Sequence, residues 1–343
     1  MSEIVRVLIV DDSAYVRKAV RQMLSRSPFI EVVGVARDGE EALELVEQLR
    51  PDVVTLDLTM PRSDGIDFLV KQMARRPVPV VVLSAASESG ELVMRALDAG
   101  AVDVVQKPTA LASDKVFGIA DELVATVKAA AAARVVVPTG EAPQSAAVGV
   151  TPAAGKTDVL VIGVSTGGPQ ALKALIPQFP ADFPVPIAMV LHMPVGYTEL
   201  YAKKLDEMSR LRVKEAAEGD LIEGGTAYLA PAGRHLSFRK VGANIVAHLD
   251  VRPLDTAHRP AVDVLFQSAA DVYGARVMGV VMTGMGADGR EGAAWIKARG
   301  GQILTEAEQS CVVYGMPRSV VEAGLSDTTA SLETMFDVIL EKL

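Results

Sequence analysis

The sequence has few residues of several kinds, and each scarcity excludes a class of structure. Among 343 residues there is one cysteine, and there are four histidines. The single cysteine, Cys311, excludes an intramolecular disulfide framework and is typical of a reducing compartment. No apolar run approaches the roughly 18 residues of a membrane span, and Met1-Ser2-Glu3 lacks the basic start of a signal peptide. We therefore expect a cytoplasmic protein without membrane insertion.

An excess of basic residues is also missing. The 34 Lys and Arg residues are outnumbered by 43 Asp and Glu residues, which gives a formal net charge of −9. Residues 1–130 hold 15 basic against 20 acidic side chains, and residues 131–343 hold 19 against 23. Proteins that bind the nucleic-acid backbone need a positively charged surface. We therefore expect no nucleic-acid partner.

The composition changes between Ala129 and Lys156. These 28 residues contain ten alanines, three prolines, three glycines and no aromatic residue. The prolines prevent one continuous helix, and little apolar bulk is available for a core. We interpret the segment as a helix tail that runs into a flexible linker over residues 129–156. It separates a domain at residues 1–128 from a second domain at residues 157–343.

Strand and helix patterns alternate in both domains. The first domain contains five short β-branched runs, at residues 5–10, 31–36, 52–57, 79–84 and 103–106. The second contains similar runs at residues 159–164, 186–192, 227–230, 244–250, 277–283 and 301–305. Segments of helical periodicity lie between most of them. This alternation predicts two α/β domains, each a doubly wound, mostly parallel sheet with helices on both faces.

Acidic, hydroxyl and basic side chains follow the strands of the first domain. Asp11 and Asp12 follow the first strand, Asp57 ends the third, and Ser84 and Lys107 mark the ends of the fourth and fifth. A lone aspartate at such a place is usually a solvated loop residue. Ligands of open parallel sheets bind outside the carboxyl ends of the strands, and converging carboxylates suit Mg²⁺. The combination favours phosphoryl transfer to a carboxylate.

This arrangement resembles the receiver domain of two-component response regulators over residues 1–128. The resemblance implies that Asp57 is the phosphoacceptor and that Ser84 and Lys107 are the switch hydroxyl and the phosphate-pairing lysine. It also implies a Mg²⁺ site formed by Asp57, Asp12, the carbonyl of Thr59 and, indirectly or through water, Asp11. Met60-Pro61 and Gly65 match the turn after the acceptor.

One position departs from the receiver pattern. Val104 stands where the family often has an aromatic switch residue. We therefore expect phosphorylation to act through loop movement more than through rotation of a ring.

The second domain contains a glycine-rich turn between a strand and a helix. Its sequence, Gly163-Val164-Ser165-Thr166-Gly167-Gly168-Pro169, contains the Gly-x-Ser-x-Gly pattern that presents a serine nucleophile. A glycine-rich turn before a helix can equally hold a phosphate. This segment alone therefore leaves both interpretations open.

Two further strand ends supply the partners of a serine nucleophile. His192 ends an apolar strand, and Asp288 lies in a glycine-rich loop after another. A base, a carboxylate that orients it and backbone N–H groups for an oxyanion are the parts that acyl transfer needs. The chain order Ser, His, Asp differs from that of the α/β-hydrolases, so the turn does not indicate that fold.

The other histidines and the cysteine are weaker candidates. His248 alternates within a strand pattern and is expected to be structural or exposed. His235 lies in a turn and could line a site. A site role is also possible for His258, which precedes a helix, but a surface position is more common there. Cys311 lacks a glycine-rich presentation and is expected to be an inert thiol.

The second domain resembles the catalytic domain of the chemotaxis receptor methylesterases, the protein-glutamate methylesterase/protein-glutamine glutaminase family, over residues 158–343. The motifs that carry the resemblance are the Ser165 turn, Leu191-His192-Met193-Pro194, and residues 258–263, 283–289 and 314–317. The resemblance implies that Ser165 is the nucleophile, His192 the base and Asp288 the orienting acid, with the N–H of Met285 in the oxyanion hole. It implies no cofactor in this domain.

The two resemblances together imply a phosphorylation-regulated hydrolase. Its substrates would be methyl-accepting chemotaxis receptors, whose glutamate methyl esters it cleaves and whose glutamines it deamidates. Its phosphodonor would be a chemotaxis-type histidine kinase. The alternative is a regulator that acts by binding alone, but the intact Ser165, His192 and Asp288 favour the enzyme. A transcription factor is not expected, because the second domain is acidic and shows no helix-turn-helix pattern.

Overall fold

The computed structural model describes residues 4–60, 64–85, 90–107, 114–133 and 157–343. The chain divides into two compact units, Met1–Gly140 and Glu141–Leu343. Among the described helices, none combines the length and the apolar character that crossing a membrane requires.

The first unit alternates strands and helices along the chain, as the sequence predicted. Its elements are β1 (Val5–Val10), α1 (Ala14–Leu24), β2 (Ile30–Ala36), α2 (Gly39–Leu49), β3 (Val53–Asp57), α3 (Gly65–Arg75), β4 (Val80–Ser84), α4 (Gly90–Asp98), β5 (Asp103–Gln106) and α5 (Asp114–Ala131). Capping side chains begin three of the helices: Ser13 for α1, Asp38 for α2 and Asp64 for α3.

The five strands form one parallel sheet in the order β2-β1-β3-β4-β5. Every residue of β3 and β4 is buried, as expected for apolar strands covered on both faces. The strand order reverses direction at β1, since β2 and β3 lie on opposite sides of it. The carboxyl ends of β1 and β3 therefore flank the crevice in which such sheets bind ligands.

The second unit is a larger variation on the same design. Its elements are β6 (Val159–Val164), α6 (Gly168–Leu175), β7 (Ile187–Leu191), α7 (Thr198–Met208), β8 (Arg212–Glu215), β9 (Thr226–Leu229), β10 (His235–Val241), β11 (Asn244–Asp250), α8 (Val262–Tyr273), β12 (Val277–Val281), α9 (Arg290–Ala298), β13 (Gln302–Glu306), α10 (Met316–Glu322), β14 (Thr328–Ala330) and α11 (Leu332–Lys342).

Seven strands form a parallel sheet in the order β14-β13-β12-β6-β7-β9-β8, and β10 and β11 form an antiparallel hairpin. The order reverses between β12 and β6, which places the ligand crevice between their carboxyl ends. Helix α8 packs closely over β6, where a Cβ atom at Gly163 would collide with Val262. Its buried side chains, including Leu265 and Phe266, belong to the main core of the unit.

The predicted fold class is confirmed for both units, but several elements were missed. The sequence did not reveal β8, β10, β14 or α11, and gave no bounds for α5. Strands β8 and β14 are the two edges of the large sheet and have only four and three residues. Short edge strands lack the continuous apolar run that identifies a strand buried on both faces.

The expected linker begins inside a helix. Helix α5 ends at Ala131, so the first alanines of the segment 129–156 continue the helix. Residues 134–156 lie outside the described residues. The domain limits at residues 128 and 157 therefore stay a prediction.

Candidate functional site

Ser165 and His192 occupy equivalent places on neighbouring strands. Strands β6 and β7 pair Val164 with Leu191, and the N–H of His192 donates to the carbonyl of Val164 at 3.2 Å. Adjacent strands are about 4.8 Å apart. The two residues that follow the paired positions therefore lie side by side at the carboxyl edge of the sheet.

The turn after β6 depends on glycine. Gly167 has a φ of +79°, and a Cβ atom there would also approach the side chain of Val312 to 2.5 Å. The N–H of Gly168 donates to the carbonyl of Ser165 at 2.7 Å, which closes the turn before α6. Ser165 is thereby presented, half-buried, on a tight strand-to-helix turn.

The loop after β12 lies against Ser165. The N–H of Ser165 donates to the carbonyl of Thr283 at 3.0 Å. A Cβ atom at Gly284 would lie 2.8 Å from the Cβ of Ser165. Within the described residues, the N–H of Met285 donates no hydrogen bond to the protein. An N–H group without a partner beside a serine is suited to bind an oxyanion.

The carboxylate of Asp288 accepts three hydrogen bonds. Its Oδ2 accepts hydrogen bonds from His192 Nε2 at 2.9 Å and from the N–H of Val262 at 2.8 Å, and its Oδ1 accepts the N–H of Asp263 at 2.9 Å. Burial alone would raise its pKa, but the hydrogen bonds from His192 and from the two amides outweigh burial and lower the pKa of Asp288 to about 2. The carboxylate is therefore ionised at neutral pH.

The side chain of Asp263 accepts hydrogen bonds from the loop that follows Asp288 and from the start of α9. Its Oδ1 accepts the N–H groups of Gly289 at 2.9 Å and Gly292 at 2.7 Å. Burial, followed by the charge of Asp288, raises the pKa of Asp263 to about 6 even though these two hydrogen bonds oppose the shift. Asp263 thus ties the start of α8 to the loop that carries Asp288.

The two ring nitrogens of His192 differ in their contacts. Nε2 contacts the carboxylate of Asp288, whereas Nδ1 is buried and has no hydrogen-bond partner in the described part of the chain. A neutral imidazole carries its proton on the nitrogen that faces a carboxylate. Nδ1 is then the nitrogen that can accept a proton.

The remaining histidines have distinct places. His235 is not in a turn, as the sequence suggested, but is the buried first residue of β10. Its Nδ1 accepts the N–H of Ala261 at 3.1 Å, and Nε2 lies 3.2 Å from the carbonyl of Pro253. His248 contacts Glu218 and Arg239 at the surface.

His258 is the residue that the sequence analysis missed. Its ring stacks on that of His192, with centroids 4.0 Å apart and an interplanar angle of 19°. The only signal was its place at the start of the motif at residues 258–263, which indicated a role for the segment but not for this side chain.

Cys311 is buried and lies 3.9 Å from the carbonyl of Glu306 through its Sγ. Burial, followed by the charge of Glu306, raises the pKa of the thiol. A protonated, buried thiol is a poor nucleophile, in agreement with the interpretation of Cys311 as inert.

The acidic residues of the first unit converge at the carboxyl edge of its sheet. Lys107 Nζ lies 2.6 Å from Asp57 Oδ1 and 3.3 Å from Asp11 Oδ2. The N–H of Thr59 donates to Asp57 Oδ1 at 3.0 Å. Asp57 and Asp11 are buried, whereas Asp12 is exposed.

The carboxylates fit a divalent cation. Asp11, Asp12 and Asp57 can each turn one oxygen toward a common point, with the three oxygens within 4.8 Å of one another. Asp11 Oδ2 is buried without a hydrogen bond, although Lys107 is close. Burial raises the pKa of Asp11 to about 6 despite the opposing charge of Lys107. Such an oxygen-only set is the kind that Mg²⁺ prefers.

The two predicted switch residues are neighbours. Ser84 is buried at the end of β4, and its carbonyl accepts the N–H of Lys107 at 2.7 Å. Val104 is buried in β5. In the turn after Asp57, a Cβ atom at Gly65 would collide with the carbonyl of Asp57, so glycine is required there. Pro61 lies outside the described residues.

The two units define a class of protein. A 2-1-3-4-5 parallel sheet with an acidic pocket and a lysine is the architecture of a receiver domain, and the second unit is an α/β effector domain with a serine, a histidine and an aspartate at one sheet edge. The family descriptions response regulator receiver domain and CheB methylesterase match residues 7–113 and 160–339.

Individual proteins agree with this division. Protein-glutamate methylesterase/protein-glutamine glutaminase 5 of Myxococcus xanthus is 50% identical over 338 residues, which cover 98% of this chain and 97% of that protein. A Pyrococcus abyssi protein of the same name is 40% identical over 350 residues, covering 98% of this chain and 93% of its own. The crystal structure of the Thermotoga maritima CheB methylesterase catalytic domain is 39% identical, with a TM-score of 0.53, and covers 55% of this chain and 99% of that one.

The chain therefore belongs to the CheB family of protein-glutamate methylesterases/protein-glutamine glutaminases and is an enzyme of that class.

Proposed function

We propose that this chain is a phosphorylation-regulated serine hydrolase that cleaves glutamate methyl esters on methyl-accepting chemotaxis receptors and deamidates receptor glutamines. The observation that carries the proposal is the pairing of His192 Nε2 with Asp288 at 2.9 Å, which leaves Nδ1 without a hydrogen-bond partner among the described residues, at the sheet edge that presents Ser165. A base that is oriented by a carboxylate and keeps one free ring nitrogen is what activation of a serine hydroxyl requires.

The catalytic cycle follows from these positions. Ser165 Oγ attacks the γ-carbonyl carbon of the methylated glutamate while His192 Nδ1 takes the hydroxyl proton. Asp288 orients the imidazole and stabilises the imidazolium that forms. His192 then gives the proton to departing methoxide, which leaves as methanol. Water, activated by the same nitrogen, hydrolyses the acyl-enzyme and releases glutamate and free Ser165.

The roles of the two ring nitrogens are reversed from the better-known serine protease arrangement, in which Nε2 faces the serine. The reversal has a structural reason. Asp288 is fixed by the N-terminal amides of α8, at Val262 and Asp263, and it meets the Nε2 end of the ring. A proton on Nε2 leaves the lone pair on Nδ1, so the chemistry is unchanged.

The oxyanion of each tetrahedral intermediate is assigned to the N–H of Met285. The support is its position one residue after Gly284, which packs on Ser165, and its lack of an intramolecular hydrogen bond in the described chain. Removal of one such donor typically costs about 10²–10³ in kcat.

Deamidation uses the same groups. A glutamine side chain differs from the methyl ester only in its leaving group, so His192 would protonate the departing amide nitrogen, which leaves as ammonia, instead of methoxide. The acyl-enzyme and its hydrolysis are identical in the two reactions.

The receiver domain is assigned the regulatory role. Asp57 would accept a phosphoryl group from a histidine kinase, with Lys107 pairing with the phosphoryl oxygens and Ser84 donating a hydrogen bond to one of them. Asp11, Asp12, Asp57 and the Thr59 carbonyl would hold Mg²⁺, which neutralises charge on the phosphoryl oxygens. We assign residues 1–128 to this domain, 129–156 to the linker and 157–343 to the catalytic domain, and we propose that phosphorylation relieves inhibition.

The proposal is tested by methanol release from a methylated receptor cytoplasmic domain. Ser165→Ala removes the nucleophile and little volume, so the variant should stay folded and lose measurable activity. Ser209→Ala, at the end of α7, is the matched control and should keep full activity. Wild-type rates in a folded Ser165→Ala protein would show that another group is the nucleophile.

A further inference from the structure

We propose that His258 is a positioning residue for the active site, whose stacked ring fixes the plane of the His192 imidazole. The inference rests on the proposed function, in which His192 is the base. It adds a residue that touches neither the substrate nor the serine in that scheme.

The stack supplies a constraint that the hydrogen bond to Asp288 does not. One hydrogen bond at Nε2 holds one end of the imidazole and leaves rotation about that contact possible. The ring of His258 lies 4.0 Å away and 19° from parallel, so it covers one face of His192 and restricts that rotation. The covered face is also shielded from water. The stack therefore keeps Nδ1 pointing in one direction throughout the catalytic cycle.

The place of His258 is itself fixed by buried contacts. The next residue, Arg259, accepts the N–H of Gly233 at 2.9 Å through its carbonyl, and its Nε lies 3.4 Å from His235 Nε2. The N–H of Ala261 donates to His235 Nδ1 at 3.1 Å. The buried His235 therefore anchors the segment that carries His258, which gives a role to a histidine that the reaction does not use.

The same segment leads into α8, whose first amides hold Asp288. The two groups that contact the His192 ring, the carboxylate of Asp288 and the ring of His258, are thus fixed by one continuous stretch of chain. A change in this stretch would move both supports of His192 together.

The charge state of His258 suits its position. Burial, followed by the charge on His192, lowers the pKa of His258 to about 4 despite the opposing attraction of Asp288. The ring is then neutral at pH 7. The face of a neutral aromatic ring attracts a cation, whereas a positively charged neighbour would repel that cation.

Among the described residues, the charges that act on the His258 ring are those of His192, directly after β7, and Asp288, on the loop after β12. Within the described residues, neither ring nitrogen of His258 makes a hydrogen bond, so its contribution to His192 is through its face and its lack of charge.

Three substitutions in the full chain separate these effects. His258→Phe keeps an uncharged planar ring, and we expect methanol release within about threefold of wild type. His258→Ala removes the ring, and we expect kcat to fall about tenfold to a hundredfold with KM unchanged, because the base is less well aligned. His258→Arg places a fixed positive charge beside His192, and we expect the acidic limb of the pH profile of kcat/KM to move to lower pH by about one unit.

The readouts are kcat, KM and the pH profile of kcat/KM for each variant. The acidic limb of the profile should move to lower pH in His258→Arg and stay in place in His258→Phe. Equal kcat values for folded Phe and Ala variants, or an acidic limb in the Arg variant at the wild-type pH, would overturn the proposal. If His258→Ala does not fold, the comparison of the His258→Phe and His258→Arg variants tests the proposal instead.

His192→Ala in the same assay distinguishes this proposal from the proposed function. If His192→Ala remains active, His192 is not the base and the proposed function fails, whereas the NMR relaxation of the His192 ring in the His258 variants still reports whether His258 fixes that ring. If His192→Ala is inactive and the three His258 variants behave alike, only the positioning role of His258 is refuted.

Discussion

The side chains of Asp263 and Asp288 each accept a hydrogen bond from the backbone segment that carries the other. The carboxylate of Asp288 accepts the N–H of Asp263 at 2.9 Å, and the carboxylate of Asp263 accepts the N–H of Gly289, the residue after Asp288, at 2.9 Å. This reciprocal pair joins the start of α8 to the loop before α9. It helps to fix the carboxylate that contacts His192 Nε2.

Replacement of Asp288 tests the orientation of His192. Asp288→Asn offers one oxygen and one amide group, so it can no longer accept all three hydrogen bonds of the carboxylate. It also favours the wrong tautomer of His192, and we expect kcat for methanol release to fall about 10³–10⁴-fold.

The matched control for this substitution is Asp337→Asn, an exposed carboxylate on α11 that should leave the rate unchanged. A folded Asp288→Asn protein with at least a tenth of the wild-type kcat would mean that another group orients the imidazole.

The raised pKa of Asp263 predicts a specific dependence of stability on pH. Its pKa is about 6 in the folded chain and about 3.9 when unfolded, so the folded state binds the extra proton between these values. The contribution of Asp263 to stability is therefore fully present below about pH 4 and is lost as pH rises through 6.

Asp263→Asn keeps an oxygen acceptor for Gly289 and Gly292 but removes the titration. We expect the fall in the free energy of unfolding between pH 4 and 7 to be smaller in this variant, measured by urea unfolding at several pH values. Parallel stability curves for the variant and the wild type would contradict the raised pKa.

Gly284 allows the loop after β12 to approach Ser165, the proposed nucleophile. In Gly284→Ala the new methyl group would lie 2.8 Å from the Cβ of Ser165 and would collide with Met316 Sδ. We expect kcat to fall about a hundredfold because the serine and the Met285 N–H are displaced. The cost in stability should be about 1–3 kcal/mol.

Gly242→Ala is the control for Gly284→Ala. Gly242 lies in the β10–β11 turn with a φ of +61° and no atom within 4 Å of the added carbon. It should lose some stability through backbone strain but keep its activity. A wild-type kcat in the Gly284→Ala protein would show that the loop accommodates the methyl group without displacing Ser165 or the Met285 N–H.

Labelling with a small phosphodonor tests the receiver assignment. Asp57→Ala should accept no phosphoryl group, whereas Asp67→Ala, an exposed aspartate on α3, should be labelled like the wild type. Chelation of Mg²⁺ should abolish wild-type labelling, because the carboxylate cluster then lacks the cation that offsets its charge. Stable incorporation into Asp57→Ala would place the acceptor elsewhere.

The regulatory proposal is tested by separating the domains. If the unphosphorylated receiver restricts the active site, residues 157–343 alone should hydrolyse methylated receptor faster than the unphosphorylated full chain. Phosphorylation of the full chain should raise its rate of hydrolysis toward that of the fragment, since a switch shifts populations between restricted and open states. A fragment no faster than the unphosphorylated chain would leave recruitment or direct activation as the receiver's role.

The lengths and places of most strands follow from the sequence. Predicted and observed limits coincide for β1, β5, β6 and β11, and differ by one or two residues for most other predicted strands. Apolar β-branched runs identify strands buried on both faces. The edge strands β8 and β14 were missed because a strand paired on one side carries a weaker pattern.

The sequence by itself also indicated most of the side chains at the carboxyl edge of each sheet. The carboxyl ends of parallel strands share one edge, so residues at or directly after the strand ends, such as Asp57, Ser165 and His192, had to gather there. No knowledge of loop conformation was needed for that conclusion.

Only the tertiary structure decided how these side chains face one another. The use of Nε2 of His192 for Asp288 depends on where α8 places its first amides, and the stack with His258 depends on the anchoring of that segment by His235. These contacts join residues 26 to 96 positions apart. Periodicity and motif spacing describe local chain, whereas ring orientation is set by packing between segments that meet only after folding.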